Sequence, residues 1–547
     1  MVASECVPFA KTGGLGDVVS GLAKALVRMG HEVRIVLPRY YALDRDRFQL
    51  EFLAPSCVHL GNGEEQWVGV MRGSLDHQVP VWFVECDRFF GRAGLYHDEH
   101  GDFLDNAYRF SLLSKAALQI TKDRAFYPDI IHLHDWQSAP TALFLKTWDR
   151  IASPLSPTGS VLTIHNIGYQ GVYHAGVFSY LGVGGEHWTS DTMEDHGRIN
   201  LLKIGIAYSD QITTVSPTHA AEILTPEGGQ GLAPYLNNRR SDLTGILNGI
   251  DYDRWNPETD PFIPHPYRPD NLAGKKICKT ELQKEMGLDV RPDLPLFAVV
   301  SRFASQKGFD LLREALPRAL GQMAMQFVAL GSGDPETETF FRTLAAHHPG
   351  QVGCTIGFSE PLSHRIEAGS DFFVMPSIYE PCGLNQIYSL KYGTLPIVRS
   401  TGGLADSVEN YQEQDGSGTG FKFHLATPQA LFDTIGWAVS TWFDRPHHIA
   451  QLQQAAMSRD FSWDVSTRRY LEVYDRARDR RLTQLKVEDP SGYEHHLAGT
   501  VDPKLTEFQA QRPRRGTKKL KAKKSAPSQK ADKKEKKKTK KKSKAKR

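Results

Sequence analysis

The stretch LFAVVSRFASQKGFDLL, residues 296–312, decides the fold. Its first five residues are apolar, as in a short strand buried on both faces of a parallel sheet. Two cations, Arg302 and Lys307, follow directly, and then a glycine and a stretch, 308–320, that reads as a helix. Strand, polar turn and helix make a βα unit, and open sheets of such units bind ligands beyond the carboxyl ends of their strands. Reading outward, 326–330, 372–375 and 395–398 repeat the apolar strand signal, separated by helical stretches near 384–392 and 428–443. Upstream, a second series runs through 33–37 (VRIVL), 79–84 (VPVWFV), 130–133 and 161–164, with helical stretches at 15–29 and 103–122. Two successive βα series predict an α/β protein of two doubly wound domains facing a cleft.

Length and composition agree. A chain of 547 residues exceeds one ordinary core, and 40% hydrophobic with 24% charged residues fits globular domains. The expected divisions are 1–247, 248–465, a closing helix at 466–481, a linker at 482–511 and a tail at 512–547. Five prolines between 256 and 271 place the domain connection near 248–270. No apolar run approaches 18 residues, so no membrane span is expected. The first ten residues lack a basic leader and contain Glu5, so no signal peptide is read. Six scattered cysteines without a Cys-x-x-Cys pair fit a reducing cytoplasm rather than a disulfide or zinc framework. The net charge of +3 conceals an asymmetry: residues 512–547 hold 20 Lys and Arg against 2 Asp and Glu, a balance of +18, leaving −15 for the rest. A low-complexity, like-charged tail of this kind is expected to be disordered.

Four segments carry candidate chemistry. Lys11-Thr12-Gly13-Gly14-Leu15-Gly16-Asp17 is a glycine-rich turn entering a helix, where free N–H groups and Lys11 favour an anion. A bare βα turn explains it equally well, and it matches neither the P-loop nor the dinucleotide fingerprint. Arg302 and Lys307 suit a diphosphate, against the plainer reading of two solvated surface charges. Glu380-Pro381-Cys382-Gly383-Leu384 puts a carboxylate on a loop, where it can bond sugar hydroxyls. Cys382 has no evident general base, so cysteine catalysis is not assigned. HLHDWQS (132–138) and TIHNIGYQG (163–171) end two apolar strands, which raises Asp135, His165 and Asn166 above ordinary packing residues. His132, His134 and Asp135 suggest a metal, but no fourth ligand has sensible spacing. Asp44-Arg45-Asp46 and Asp251-Tyr252-Asp253 imitate a metal-binding Asp-x-Asp and read instead as solvated turns.

Taken together, PFAKTGGLGDV, HLHDWQS, TIHNIGYQG, TTVSPT, GILNGID, VVSRFASQKGFDLL, IYEPCGLNQIYSLKYGTLPIVRSTGGLADSV and FSWDVS resemble the bacterial glycogen synthase and plant starch synthase family, over about residues 2–480. The resemblance implies the GT-B arrangement of two Rossmann-like domains. It implies a metal-independent, retaining transfer of glucose from ADP-glucose to the 4-hydroxyl of an α-1,4-glucan, with no cofactor. Arg302 and Lys307 match the cations on the leaving diphosphate, and Glu380 the carboxylate on the donor glucose, with the N–H groups of Cys382, Gly383 and Leu384 nearby. Lys11, Gly14 and Asp17 match the first-domain loop. Asp135, His165 and Asn166 match residues around the transferred sugar, Asn248 the interdomain segment, and Phe358 an aromatic beside the adenine. The KTGGL form resembles the ADP-glucose branch.

Two features depart from the pattern. Chains of that family usually carry several apolar residues before VASE, whereas Met1 precedes Val2 here, so either the start site is misassigned or the first strand is shortened. The Lys-rich tail is foreign to the family, and polyanions are its expected contact. Competing readings are another GT-B glycosyltransferase, a non-catalytic glucan-binding scaffold, and a nucleic-acid binder suggested by the tail alone. The last lacks aromatics after 512 to stack on bases.

Overall fold

The structure is a computed structural model that describes residues 1–499. The expected tail, 512–547, and the end of the expected linker lie outside the described residues. Within the described part, the strands of the first domain's main sheet are β1 (Ile35–Pro38), β2 (Glu51–His59), β3 (Glu65–Leu75), β4 (Val79–Glu85), β5 (Ile130–His134), β6 (Gly159–Ile164), β7 (Gln211–Thr214) and β8 (Leu243–Gly245). One run orders β1-β4-β3-β2 and the other β8-β7-β6-β5. Val2 joins them, bridging Val36 of β1 and Leu133 of β5 in parallel. The expected short first strand is therefore the centre of the sheet, represented by little more than Val2. Strands β5 to β8 are parallel, as is β4 to β1, but β2, β3 and β4 form an antiparallel meander. That meander has a weak sequence signal, because β2 contains Pro55 and β3 contains Gly69 and Gly73, which a strand reading disfavours.

The second domain holds β9 (Leu296–Phe303), β10 (Gln326–Gly333), β11 (Val352–Ile356), β12 (Phe372–Met375), β13 (Leu395–Arg399) and β14 (Phe421–Phe423), all parallel. Their spatial order is β11-β10-β9-β12-β13-β14. This is the doubly wound Rossmann order, with its reversal between β9 and β12. In the first domain the reversal falls between Val2 and β5. Both sheets thus open a crevice where chain direction turns, and those crevices supply the site.

The chain crosses between domains twice, and the crossings touch. Ile250 bridges Ser462, with the Ile250 N–H on the Phe461 carbonyl at 2.8 Å. After the second crossing, a 26-residue helix, Trp463–Glu488, returns to the first domain. Its Trp463, Tyr470, Val473 and Ala477 join the core beneath α1, Gly14–Arg28. Helix α1 buries Leu15, Val18, Val19, Leu22 and Leu26, the spacing of one helical face. The closing helix outruns the expected end at 481: Leu485 is buried, Arg481 donates to the Ser156 carbonyl at 2.6 Å, and a further helix, Pro490–Leu497, follows. The expected linker is therefore helical as far as Leu497. The reason is that after Ala477 the next buried apolar residue is Leu485, with a charged run between them, so the periodic signal fades there. The proline-rich segment is likewise no loose connection. Trp255 stacks between His364 and Tyr388 at 3.7 and 3.9 Å, and Asp260 accepts from His364 Nδ1 at 2.7 Å and Tyr392 at 2.5 Å.

One short helix from each domain caps the other. Asp406, in Gly402–Ser407, accepts the Thr218 N–H at 2.7 Å and its hydroxyl at 2.6 Å. Glu222, at the end of Pro217–Glu222, accepts the Gly402 N–H at 3.0 Å and the Thr401 hydroxyl at 2.8 Å. Each carboxylate meets first-turn amide hydrogens that would otherwise lack partners.

Gly21, inside α1, is explained by packing, since a Cβ there would overlap the Trp463 indole. Alanine in an exposed helix normally stabilises by about 0.5–1 kcal/mol over glycine. Here Gly21→Ala is expected to destabilise by about 1–3 kcal/mol through overpacking. Urea denaturation reads the sign directly, and a stabilised variant contradicts this account of the closing helix.

Candidate active site

A cavity of about 810 Å³ lies between the domains, at the carboxyl ends of both sheets. From the second domain, Arg302 and Lys307 leave β9, and Glu380 follows β12, so the crevice between those strands holds two cations and a carboxylate. Lys307 Nζ lies 2.6 Å from Glu380 Oε2, and Ser377 donates to the same oxygen at 3.0 Å. Glu380 is buried and Arg302 exposed, with no ion pair to Arg302 among the described residues. Gly308 turns the chain at φ 73°, and a Cβ would strike the Pro376 carbonyl, so the cationic turn sits hard against the loop after β12. Two further bonds fix that loop: the Ile378 N–H on the Gln306 carbonyl at 2.8 Å, and Asn385 Nδ2 on the Val300 carbonyl at 2.7 Å.

The first domain supplies a different wall. Asp135 ends β5 at φ 57°, an unusual conformation for a non-glycine residue. Its Oδ1 accepts the His165 N–H at 2.7 Å, and burial pushes its carboxyl up to about 7. His165 is pushed down to about 3 by the same desolvation, so its imidazole is neutral. Its Nε2 lies 3.0 Å from His134 Nδ1, and burial holds His134 and His132 well below the usual histidine range. His132 bonds Thr163 at 2.6 Å and Tyr474 at 2.8 Å. Histidines so engaged act as neutral hydrogen-bonding groups. Asn166 Oδ1 accepts from Gly168 at 2.9 Å beside Tyr379. Aromatic and polar side chains of Tyr96, Trp136, Tyr169 and Tyr173 complete this wall.

The structure brings Lys11, Gly14, Asp17, Asp135, His165, Asn166, Asn248, Arg302, Lys307, Glu380, Cys382, Gly383 and Leu384 to this one cavity. Three details differ from expectation. Lys11 is not a free cation, because its Nζ pairs with Asp17 at 2.7 Å. The loop amides of Thr12 and Gly13 are not free either, since both donate to Glu5. Phe358 stands outside the cavity lining and 88% exposed, carried away from it by Gly357 at φ 132° before the helix Glu360–Gly369. The thiol of Cys382 is pushed up to about 12 by burial, which keeps it protonated and removes it as a nucleophile.

Two buried side-chain oxygens among the residues lining the cavity, Asn248 Oδ1 and Gln137 Oε1, lack a partner within the described residues. Gln137 had no separate signal in the sequence; it became visible only when its oxygen was seen unpaired beside the cavity. Of the Asp-x-Asp imitations, Asp44 accepts the Asp46 and Arg47 amides at 3.0 Å, and Asp251 pairs with Lys24 at 2.7 Å. Among the described residues, the His, Cys, Asp and Glu groups close enough to share an ion are Cys57, His59 and Glu65, on β2 and β3 and outside the cavity.

The comparisons with known proteins bear on this geometry. Residues 1–238 match the family described as the starch synthase catalytic domain, and residues 284–454 match glycosyl transferases group 1. Glycogen synthase 1 of Geobacter sulfurreducens is 48% identical over 88% of this chain and 96% of its own. The chain belongs to the glycogen synthase and starch synthase family. It is a glucosyltransferase of that type. Glycogen synthase of Treponema denticola is 44% identical over 89% of this chain and 99% of its own. The catalytic domain of starch synthase IV from Arabidopsis thaliana, solved bound to ADP and acarbose, superposes with a TM-score of 0.80 at 37% identity, covering 87% of this chain and 98% of that one. Sucrose-phosphate synthase of Thermosynechococcus elongatus, at 17% identity and a TM-score of 0.53, shares the fold. This chain thus has two Rossmann-like domains in the GT-B arrangement.

The raised carboxyl of Asp135 has a consequence for stability. Below about pH 3 the group is largely protonated both folded and unfolded. As pH rises to about 7 the unfolded chain ionises first, and stability falls. Asp135→Asn is therefore expected to come closest to the parent at about pH 3 and to exceed it in stability from about pH 7 upward, while turnover drops about 10²-fold through lost positioning. Denaturant midpoints across that range test the sign; a variant less stable than the parent at pH 8 contradicts it.

Proposed function

We propose that the chain transfers glucose from ADP-glucose to the non-reducing 4-hydroxyl of an α-1,4-glucan, with retention of configuration. One observation carries this reading: the Lys307–Glu380 pair at 2.6 Å, beside Arg302, at the strand-order reversal of the second domain. Cations at that crevice suit a nucleotide diphosphate. The opposite wall, aromatic and rich in neutral polar groups, suits the faces and hydroxyls of a sugar chain. Asn248 Oδ1 and Gln137 Oε1 are acceptors that a polyol can satisfy.

In this mechanism Arg302 and Lys307 hold the diphosphate and stabilise the charge that grows on it as the glycosidic bond to phosphate breaks. Glu380 orients Lys307 and hydrogen-bonds the donor glucose, with Cys382, Gly383 and Leu384 presenting backbone beside it. The anomeric carbon becomes oxocarbenium-like, and the acceptor hydroxyl attacks the same face while the departing phosphate takes its proton. His165, Asp135 and Asn166 position the transferred sugar. Lys11, Gly14 and Asp17 close the first-domain side, where a Cβ on Gly14 would stand 3.7 Å from Leu384 of the facing domain. No residue acts as a covalent nucleophile, and the protein's contribution is positioning and electrostatics. Phe358, exposed beyond the cavity, is assigned to stacking on the adenine once donor is bound. Six scattered cysteines without a Cys-x-x-Cys pair fit a reducing cytoplasm, and among the described residues no helix is long and apolar enough to cross a membrane.

Turnover with glycogen as acceptor tests the assignment. ADP-glucose is expected to exceed UDP-glucose clearly in kcat/KM, and Lys307→Ala and Arg302→Ala each to lose about 10²–10³-fold in kcat while remaining folded. Comparable use of both donors overturns the branch, and near-normal turnover of either variant overturns the leaving-group role.

The basic segment 512–547 is assigned to contact with polyanions, because a neutral glucan offers it little Coulomb energy. A chain ending at Ala498 is expected to keep its transfer rate and to lose salt-sensitive retention on heparin. A folded but inactive truncation contradicts this division of labour.

A further inference from the structure

The first-domain wall is organised by a residue that the motifs do not single out. Glu5 follows the central strand position at Val2 and is 3% exposed. Its Oε2 accepts the N–H groups of Thr12 at 2.6 Å and Gly13 at 3.2 Å. Its Oε1 accepts the Thr12 hydroxyl at 2.6 Å and the Tyr96 hydroxyl at 2.6 Å. Among the described residues no cation pairs with it, so four hydrogen bonds alone satisfy a buried carboxylate. A charge held this way is a strong clamp, because losing any of its donors leaves it desolvated and under-bonded. Tyr96 is held in turn: Ser4 Oγ lies 2.7 Å from its hydroxyl, and Asn106 Nδ2 donates to its carbonyl at 2.9 Å. Burial and the neighbouring Glu5 charge keep the Tyr96 phenol well above its usual range, so it donates rather than ionises.

The clamp joins two parts of the cavity. Thr12 and Gly13 belong to the glycine loop that leads into α1 and approaches Leu384 of the other domain. Tyr96 begins the segment containing His97 and Asp102, on the aromatic wall. The Thr12 and Gly13 amides, turned to an internal carboxylate, are withdrawn from any phosphate. That leaves the diphosphate to Arg302 and Lys307 and gives the loop a different task. We propose that Glu5 is a positioning residue that couples donor and acceptor binding, by tying the glycine loop and the Tyr96 wall to one carboxylate. The proposal rests on the functional reading above. A wall ordered by the acceptor then holds the loop in the conformation that receives the donor, and the converse follows by linkage.

Glu5→Gln keeps the size but sets an NH2 against donors on one side of the clamp. Tyr96→Phe removes a single hydroxyl and leaves the ring, which guards against a Glu5 variant that does not fold. In the parent, raising glycogen from limiting to saturating is expected to lower KM for ADP-glucose by about fivefold. In Glu5→Gln and in Tyr96→Phe that interdependence is expected to vanish, with thermal midpoints lowered by the under-bonded clamp but a cooperative unfolding transition retained. The double variant is expected to behave like either single one, as two ends of one interaction do. A parent whose two KM values are independent, or variants that retain the parent's interdependence, overturn the coupling. A parent that transfers nothing from ADP-glucose instead overturns the functional reading, and the two failures are therefore distinct.

Discussion

Trp463 sits where everything else has to agree. Its indole occupies the space of a missing Cβ on Gly21 of α1, and its backbone lies against Gly249. One residue along, Ser462 bridges Ile250. The two passages of the chain between domains are thereby fastened to each other and to the helix that begins at the glycine loop. A sheet of either domain alone exposes a crevice at its order reversal. Only this fastening, with the reciprocal caps of Glu222 and Asp406, turns the two crevices toward one volume. Reciprocal carboxylate caps suit the task because each satisfies backbone donors that a short helix cannot satisfy itself.

Within that volume the two walls divide the electrostatics. The second-domain wall carries charge: Arg302 without an ion pair among the described residues, Lys307 poised on Glu380. Around Asp135 and the three histidines, the first-domain wall has suppressed it. Desolvation has made His132, His134 and His165 neutral and has raised Asp135 into the neutral range of pH. Such a contrast fits a reaction whose charge develops on a leaving phosphate while a neutral polyol attacks. Asp135 combines a left-handed backbone with a desolvated carboxyl, and both are unfavourable for folding. Their coincidence at one residue on the cavity points to function rather than packing.

The sequence by itself determined the class of fold, because parallel βα units write a local signal: short apolar strands, polar turns and amphipathic helices in alternation. It also determined most of the site's membership, since Arg302, Lys307, Asp135 and Glu380 each stand just past such a strand, where α/β sheets bind ligands. Tertiary structure decided the rest. Whether Lys11 is free or paired with Asp17, whether the loop amides face a ligand or Glu5, and whether Gln137 has a partner depend on atoms distant in the chain. The meander of β2 to β4 and the extension of the closing helix to Glu488 also escaped, as their stability comes from neighbours rather than from periodicity. The order β11-β10-β9-β12-β13-β14 could not be read from alternation, which is the same for any order. Strand order is set by which hydrophobic faces pack across the sheet, and it alone puts the turn after β9 beside the loop after β12, so that Lys307 meets Glu380.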